Sequence, residues 1–463
     1  MPVGPLLPET SIPRPQARPE EQWKERLARL VYSAAFIGLL PAIGLRLFYR
    51  SLAQPAYRRG WPERFLGKPP QRLLLTPASP RDTSHGPEPR LWLHAVSVGE
   101  TRAAAPLIRA WLVRHPGGRV FLTQTTPTGR QTAHTLFEDL LGARVFRAYC
   151  PLDFPWAVGR FIRTLQPDLL VLMETELWPN LLASCRSHRV PVALVNARLS
   201  ERSFRAFRRL AWLSRPALAG LAVVLPQSQA DAQRFEAAGS SALGPVAGSL
   251  KFDVRLDQQQ IAMGQTWRRC WSHRQVWLAM STRDDEEQAL FEAFSRQQPH
   301  GVLLVVVPRH PERFNRVESL AAGFGLRRCR RSQLPETLDF DMQVLIGDSL
   351  GEMQAFVAAS DLCLIGGSLL PLGGQNPIEA CAQGRPVFFG PYMFNFQTLA
   401  QELRESGAGF EVDSAQAFVQ EAYALGRSVP RLKACAEKAQ HFVQVRQGAT
   451  QTTLNALDAL ISK

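Results

Sequence analysis

The sequence predicts an α/β protein with two doubly wound parallel sheets that face a cleft, preceded by a membrane-anchor helix. Three observations lead to this fold class. Apolar strand-like segments alternate with helix-like segments, which is typical of parallel sheets joined by crossover helices. The alternation restarts after a break near Gly244–Gly248. The length of 463 residues suits two domains and an appendage better than a single domain.

Each half of the chain contributes its own set of predicted elements. Strands are predicted in the first half at residues 91–97, 120–123, 168–173 and 190–196, and in the second half at 276–279, 301–307, 342–346, 362–365 and 386–389. Thr101–Val113 is predicted to be an amphipathic helix. The first helix of the second half opens with four acids at residues 284–287, which would complement the helix dipole. The last helical stretch, residues 431–461, is a candidate to pack back on the first domain.

These elements divide the chain into four parts. They are a polar, proline-rich extension (1–26), an anchor helix (27–50), a first domain (51–246) and a second domain (247–463). In open α/β sheets, ligands bind at the carboxyl ends of the strands, where the loops converge. Functional residues are therefore expected in those loops.

The anchor prediction depends on Leu30–Leu45, sixteen residues without a charge. A spanning helix needs roughly 20 residues, but Arg46 could snorkel to the interface and lengthen the segment. Basic residues follow, as the positive-inside rule expects of a cytoplasmic body: Arg50, Arg58, Arg59, Arg64 and Lys68. A cleaved signal peptide and a buried core helix are the alternatives.

The composition limits the classes of partner. A net charge of +14 indicates a polyanionic partner, which could be nucleic acid, anionic lipid or a phosphorylated substrate. No nucleic-acid recognition motif occurs, so nucleic acid is disfavoured. The seven cysteines are scattered without zinc-ligand spacing, so we expect neither a metal site nor a disulfide framework. A reducing compartment is expected for the folded body.

Two acidic segments stand out in the first half. Ser97 to Gly99 is predicted to be a tight turn that places Glu100 at the start of a helix, where it could take a proton from a hydroxyl or merely complement the helix dipole. Glu174 and Glu176 follow a buried strand. They would point the same way if the strand continued, but not if it ends at Met173. One of the two could instead cap the following helix.

The second half offers several basic or glycine-containing loops. Lys251 lies at the junction, where an ammonium group could stabilise developing negative charge. Arg309 could bind a phosphate through two hydrogen bonds, although the sequence alone favours a solvated loop arginine. Residues 347–353 lead from a strand into a helix and suit an anion. In residues 373–379, Asn376 is predicted as N-cap, with Pro377 at the first and Glu379 at the third helical position.

Another helix could be either a solvated basic surface or a membrane-facing one. It combines aromatic residues with the arginines Arg202, Arg205, Arg208, Arg209 and Arg215. His94 is expected to be a hydrogen-bonded strand histidine and not a base, since no metal-binding histidine pair accompanies it.

Taken together, the ordered segments resemble the 3-deoxy-D-manno-octulosonic acid (Kdo) transferases of lipopolysaccharide synthesis. The matching segments run from about residue 30 to about residue 400 and include 94–100, 125–129, 149–155, 174–180, 196–200, 248–253, 308–310 and 366–379. The resemblance implies a GT-B fold with two Rossmann-like domains. It also implies inverting, metal-independent transfer of Kdo from CMP-Kdo to a lipid A precursor, without any cofactor, on the cytoplasmic face of a Gram-negative inner membrane.

The resemblance also implies residue roles. The first domain would bind the acceptor and the second would bind CMP-Kdo. Glu100 would be the general base, and Glu174 and Lys251 would stabilise the transition state. The choice of Glu174 over Glu176 follows the family pattern alone. The residues implied in CMP-Kdo binding are Pro308, Arg309, His310, Gly351, Glu352, Met353, Asn376, Pro377, Ile378 and Glu379.

Two positions depart from the family pattern. Gln375 stands where a histidine is expected, and Ala380 where a proline is common. A glutamine can hydrogen-bond but cannot carry a proton, so an acid role there is in doubt. A GT-B enzyme that uses a UDP-sugar is the nearest alternative function, and a catalytically idle module that binds anionic lipid is the alternative from another class.

Overall fold

The structure, a computed structural model, describes residues 19–70, 88–271, 274–283, 285–334 and 338–461. Most of the extension predicted at 1–26 lies outside the described residues, as does Asp284. The chain forms two compact units. Unit 1 comprises the residues up to Leu250 together with those from Ala449 onward, and unit 2 comprises Lys251–Gly448.

Unit 1 contains a parallel sheet of six strands in the order β3-β2-β1-β4-β5-β6. The strands are β1 (Arg90–His94), β2 (Arg119–Gln124), β3 (Val145–Tyr149), β4 (Leu169–Met173), β5 (Val192–Ala197) and β6 (Val223–Pro226). The helices packed around it are Val98–Arg114, Pro127–Leu136, Pro155–Leu165, Pro179–Ser187, Glu201–Arg209, Ala211–Ala219 and Gln229–Ala237. The order reverses at β1, as in a doubly wound sheet.

Alternation along the strands of unit 1 sends side chains to two separate cores. Leu91 and Leu93 lie in one core with Trp111 of the helix that follows β1. Trp92 lies in the other with Phe161, at a ring-centroid distance of 4.9 Å. A sheet covered on both faces explains why its strands are almost continuously apolar.

Unit 2 contains a parallel sheet of seven strands in the order β13-β12-β11-β7-β8-β10-β9. The strands are β7 (Gln275–Thr282), β8 (Val302–Pro308), β9 (Arg328–Arg330), β10 (Val344–Ile346), β11 (Leu362–Ile365), β12 (Val387–Phe389) and β13 (Gly409–Glu411). The helices are Gln258–Cys270, Glu286–Gln297, Phe314–Gly323, Met353–Ala359, Ile378–Ala382, Gln397–Ser406, Ala415–Gly426 and Val429–Gln444. The predicted class of two doubly wound parallel sheets is confirmed.

The carboxy-terminal helical stretch is two helices rather than one. Gly448, at φ +105°, separates Val429–Gln444 from Ala449–Ile461. The second helix belongs to unit 1. There Asp458 pairs with Arg114 at 2.7 Å and His115 at 2.8 Å. The division into units thus falls four residues after the boundary drawn at 246/247, and the end of the chain lies in the first unit.

The amino-terminal segment forms two helices, α1 (Pro19–Gly38) and α2 (Leu40–Ala53), in place of the single predicted anchor helix. Among the described helices none is by itself long and apolar enough to cross a membrane. The pair passes that test together, with a bend of 45° at the break between them. Pro41 lies in the first turn of α2, where its missing N–H cannot continue the preceding helix.

Helix α1 belongs to unit 1 and makes polar contacts with the rest of it. The carboxylate of buried Asp153 accepts hydrogen bonds from the N–H groups of Asn180 and Leu181 at 2.9 and 2.8 Å. It also bonds the side chain of Tyr32 in α1. Asn180 Nδ2 donates to Ser33 Oγ at 3.0 Å. One face of α1 is therefore packed against the rest of unit 1.

The short helix α3 (Trp61–Leu66) changes the interpretation of one basic residue. Arg64 is buried, its guanidinium lies 3.9 Å from the centroid of the Tyr149 ring, and it donates to the carbonyl of Thr125 at 2.8 Å. Its side chain is thus part of the packing of unit 1 and not of an exposed basic cluster after the anchor.

Candidate active site

Glu100 lies in the first turn of the helix that follows β1. Ser97 is the N-cap, and its hydroxyl accepts from the Glu100 N–H at 3.4 Å and donates to Glu100 Oε1 at 3.0 Å. The Val96 N–H donates to Glu100 Oε2 at 2.8 Å. This is a reciprocal capping arrangement, so the helix-start interpretation holds, and the same bonds fix the orientation of the carboxylate.

The environment of Glu100 changes its acidity. The pKa of Glu100 is raised to about 7, chiefly by burial and also by the nearby charges of Glu174 and Glu176, while the hydrogen bonds from Val96 and Ser97 oppose the shift. A carboxylate with a pKa near the working pH can both take and release a proton. The position therefore combines a fixed geometry with the acidity of a general base.

Glu174 and Glu176 lie beyond the end of β4, so they do not project as a pair from one strand. β4 ends at Met173, and Glu174 adopts a left-handed conformation with φ +57°. A non-glycine residue in that region is uncommon and is held by its surroundings. The backbone of Glu174 bonds to Val195 and Arg198 at 3.0 and 3.4 Å. Glu176 accepts from Trp178 Nε1 at 2.8 Å, and burial raises its pKa.

Lys251 begins unit 2 and lies in the short 3-10 helix Leu250–Phe252. It is half-buried. Two residues further on, the Asp253 carboxylate accepts from the Gly448 N–H at 2.8 Å, which joins the two chain segments that border unit 2. The role of Lys251 in charge stabilisation stays a prediction.

The predicted donor loops of unit 2 follow three strands of the central part of its sheet. Residues 308–310 begin at the last residue of β8, residues 347–353 follow β10, and residues 366–379 follow β11. The central strands lie in the order β11-β7-β8-β10 and are all parallel. Their carboxyl ends therefore face the same way and bring the three loops together.

Residues in two of these loops already have hydrogen-bond or charged partners. Arg309 is half-buried, and its backbone N–H donates to the Thr282 carbonyl at 2.9 Å. His310 is exposed, 4.0 Å from Glu312. The carboxylate of Glu352 pairs with Arg331 at 3.2 Å and accepts from Ser349. The Glu352 side chain therefore braces the turn before Met353.

The loop that contains Asn376 differs from its predicted capping pattern by one residue. The helix is Ile378–Ala382, so Pro377 is the N-cap and Glu379 the second helical residue. The helix thus begins one residue later than predicted, with Pro377 in the N-cap position that was predicted for Asn376. Asn376 still serves the helix start, because its Oδ1 accepts from the Ile378 N–H at 3.2 Å. This bond joins the side chain of Asn376 to the backbone of the first helical residue, two positions further along the chain.

Two glycines in this loop are required by its backbone. Gly373 has φ +93°, and a Cβ there would approach Asn395 Nδ2 to 2.1 Å. Gly374 has φ +73°, and a Cβ would approach Met393 Sδ to 2.2 Å. Either change would strain the backbone and displace a neighbour. Gln375 stands where a histidine is expected, and its Nε2 would lie 3.6 Å from a Cβ atom added at Gly367.

Sequence reasoning missed the burial of three acids, namely Asp153 in unit 1 and Glu286 and Glu287 in unit 2. Glu286 and Glu287 were expected only to complement the helix dipole. Their position between the end of β7 and the helix that follows it was the available signal. Within the described parts of the chain, no group of three or more His, Cys, Asp or Glu residues could hold a metal ion.

Comparison with solved structures defines the class of fold. A glycosyltransferase from Rickettsia africae has a TM-score of 0.51 with 16% identity and covers 81% of this chain and 99% of that chain. The UDP-GlcNAc 2-epimerase of Neisseria meningitidis has a TM-score of 0.51 with 13% identity, over 80% of this chain and 99% of that chain. At these identities the likeness concerns the fold alone, which is of the GT-B type.

Sequence comparison identifies the family. Residues 59–254 match the family model described as "3-Deoxy-D-manno-octulosonic-acid transferase (kdotransferase)". The 3-deoxy-D-manno-octulosonic acid transferase of Bordetella pertussis is 40% identical over 439 residues, 93% of this chain and 99% of that protein. The chain belongs to the Kdo transferase family.

Proposed function

We propose that this protein transfers Kdo from CMP-Kdo to a lipid A precursor, with Glu100 as the general base. The family membership supports the transfer of Kdo. The observation that carries the mechanism is the Glu100 carboxylate, which Val96 and Ser97 hold at 2.8 and 3.0 Å and which has a pKa of about 7.

The reaction exchanges one bond of the Kdo anomeric carbon for another. The acceptor hydroxyl oxygen bonds to that carbon while the bond from the carbon to the CMP phosphate oxygen breaks. The hydroxyl proton passes to Glu100 and CMP leaves with the bonding electron pair. Attack from the face opposite the leaving group inverts the anomeric centre. General-base assistance of this kind contributes about 10²–10⁴-fold to a rate.

Glu174 and Lys251 are proposed to stabilise charge in the transition state, on the family pattern. Glu174 and Glu176 also repel the ionised form of Glu100, and this repulsion raises the pKa of Glu100. Each keeps Glu100 more basic than a solvated glutamate. A proton taken from the acceptor is then held more firmly by Glu100.

The donor is proposed to bind at the loops after β8, β10 and β11. Arg309 can direct its guanidinium to the phosphate. Asn376 and Glu379 lie at the start of the helix Ile378–Ala382, and Glu379 is proposed to bind the ribose. Pro308, His310, Pro377 and Ile378 complete the backbone of this edge.

The acceptor is proposed to be reached from the inner membrane, with α1 and α2 as the attachment. The exposed surfaces of these two helices carry large apolar side chains, including Leu30, Leu45, Phe48 and Tyr49. The basic helix Glu201–Arg209 has no buried residue and packs Phe204 and Phe207 only partly against the core. Its arginines suit a phosphorylated lipid or an anionic surface.

The test compares Kdo transfer to a tetra-acylated lipid A precursor by the wild type and by Glu100→Gln, with product measured by mass spectrometry. Asp231→Asn is the matched control. Ser228 and Asp231 form the same reciprocal cap in the same unit, at 2.6 and 3.1 Å. We expect a loss of about 10²–10⁴-fold for Glu100→Gln only.

Other results would redirect the proposal. Transfer from a UDP-sugar in place of CMP-Kdo would replace the donor. Full activity in folded Glu100→Gln would remove Glu100 from the mechanism. Binding to anionic vesicles without transfer to any acceptor would favour a lipid-binding module.

A further inference from the structure

Two consecutive glutamates of unit 2 are buried although they lie outside the loops assigned to the donor. Glu286 is 3% exposed and Glu287 is fully buried. They begin the helix Glu286–Gln297. An acid that only served the helix dipole would remain in water, because a buried carboxylate is costly unless it is hydrogen-bonded. Their hydrogen-bond partners therefore indicate what they do.

The carboxylate of Glu286 accepts three backbone N–H groups. Oε2 accepts from Gly367 at 2.6 Å and Arg283 at 3.0 Å, and Oε1 accepts from Leu369 at 3.0 Å. Gly367 and Leu369 belong to the loop that follows β11 and leads to Asn376. Hydrogen bonds to an ionised acceptor are roughly twice as strong as neutral ones. One side chain thus holds two amides of this loop.

The loop needs support from outside because its backbone forms no regular structure. Gly367, Gly373 and Gly374 all have positive φ, at +70°, +93° and +73°. The loop folds back on itself through a bond from the Gly374 N–H to the Gly367 carbonyl at 2.7 Å. Gly367 is therefore the point where the internal closure and the bond to Glu286 meet.

Glu287 connects a different pair of segments. Its Oε1 accepts from Thr282 Oγ1 at 2.7 Å, and its Oε2 accepts from Arg313 at 2.8 Å. Thr282 ends β7, and Arg313 follows the loop that contains Arg309. Because the Glu287–Arg313 pair is buried, it fixes the segment after β8 against the end of β7.

We infer that Glu286 is a positioning residue that holds the loop from Gly366 to Gly374 in the shape that receives the nucleotide. Glu287 positions the segment after β8 in the same way, through Arg313. The inference rests on the proposed function only in taking CMP as the ligand.

The first experiment measures the Kd for CMP by calorimetry in Glu286→Gln. A glutamine has one oxygen and one NH₂ group, so it cannot accept N–H donors on both sides. We expect the Kd to rise by about tenfold or more, since bonds to a charged acceptor are lost. The control is Glu292→Gln on the same helix, where the carboxylate pairs with exposed Arg296 at 2.6 Å. It should leave the Kd unchanged, and equal affinities for both variants would overturn the inference.

Hydrogen exchange separates positioning from general stability. In Glu286→Gln the amides of Gly367 and Leu369 should exchange faster, while those of β7 and β8 keep their wild-type rates. Uniformly faster exchange, with an unchanged Kd for the folded protein, would show a merely structural role and overturn the inference.

Two further outcomes apply to the wild type. If Glu286→Gln does not fold, the wild-type amides of Gly367 and Leu369 must still be protected before CMP is added. Exchange there at free-peptide rates until CMP binds would overturn the inference. A wild type that does not bind CMP, but whose loop amides respond to Glu286→Gln, would contradict the proposed donor and support the positioning role.

Discussion

The two units place a glutamate at the same point, in the first turn of the helix after the first strand of each unit, yet use it differently. Glu100 follows β1 and bonds Val96 and Ser97 within its own turn. Glu286 follows β7 and bonds Gly367 and Leu369, 81 and 83 residues further along the chain. A carboxylate held by its own turn can keep a chemical role, whereas one that joins distant segments becomes part of the structure.

The difference also explains which of these acids should matter to stability. The bonds of Glu100 are local and would form in the isolated turn. Those of Glu286 and Glu287 join segments that only folding brings together, so losing them should loosen the particular segments of unit 2 that they join. The four predictions below test this contrast, beginning with the largest effect.

The largest effect is expected when the buried pair of unit 2 is broken. Arg313→Met leaves Glu287 as a buried charge without its cation, which costs about 3–5 kcal/mol. Arg109→Met in unit 1 is the control, because its pair with Asp139 has side chains that are 33% and 57% exposed. Such exposed pairs contribute about 0–1 kcal/mol. Protection of the amides of β8 in hydrogen exchange would measure the loss in unit 2.

A small loss in Arg313→Met would contradict the contrast. It would mean that Glu287 is protonated in the folded protein, since burial raises its pKa. The Arg109→Met variant should unfold like the wild type in urea.

The second prediction concerns the pH dependence of Kdo transfer. In the proposed mechanism Glu100 accepts a proton only when it is ionised, and its pKa is about 7. Half of the carboxylate is ionised at pH 7 and about a hundredth at pH 5, so we expect kcat/KM to fall about 50-fold between these pH values. Glu100→Gln should lose this dependence together with most of its activity. Glu286→Gln should keep it, because Glu286 exchanges no proton with substrate.

A pH profile that stays flat in the wild type would separate Glu100 from the rate-limiting step. An acid limb that persists in Glu100→Gln would assign the titration to another group, with Glu176 the first candidate because burial raises its pKa too.

The sequence predicted the two sheets and the strand ends where the loops meet, because apolar strands and their spacing are local signals. It missed the four edge strands β3 (Val145–Tyr149), β6 (Val223–Pro226), β9 (Arg328–Arg330) and β13 (Gly409–Glu411), which are only three to five residues long. Their pairing comes from neighbouring strands. The break at Gly448 was missed for a similar reason, since the glycine lies within an otherwise helical pattern.

The candidate site shows the same division. The turn at Ser97–Glu100 was predicted, since a cap is encoded within four residues. The left-handed Glu174 and the buried Glu286 could not be, because each depends on contacts with residues far along the chain. Acidic residues at helix starts look alike in sequence. Only their hydrogen-bond partners in the folded protein distinguish a candidate base from a positioning residue.

The third prediction uses stability to detect the same carboxylate. The pKa of Glu100 rises from 4.5 to about 7 on folding. Its contribution to stability is therefore present below pH 4.5 and is lost as the pH rises through 7. The side chain in Glu100→Gln stays neutral at every pH. The stability of this variant relative to the wild type should therefore increase by about 2 kcal/mol when the pH is raised from 5 to 8. Urea denaturation at both pH values measures this gain, and a constant difference would contradict the raised pKa.

The smallest effect should come from the hydroxyl that caps the Glu100 helix. Ser97→Ala removes the cap and costs about 1 kcal/mol of stability. It also removes a hydrogen bond that lowers the pKa of Glu100, so the acid limb of kcat/KM should move to higher pH. Ser228→Ala removes the matching cap beside Asp231 and should cost similar stability without moving the limb. Equal pH profiles for the two variants would show that the bond from Ser97 supports the helix only, and the contrast between the units would then rest on Val96 and burial alone.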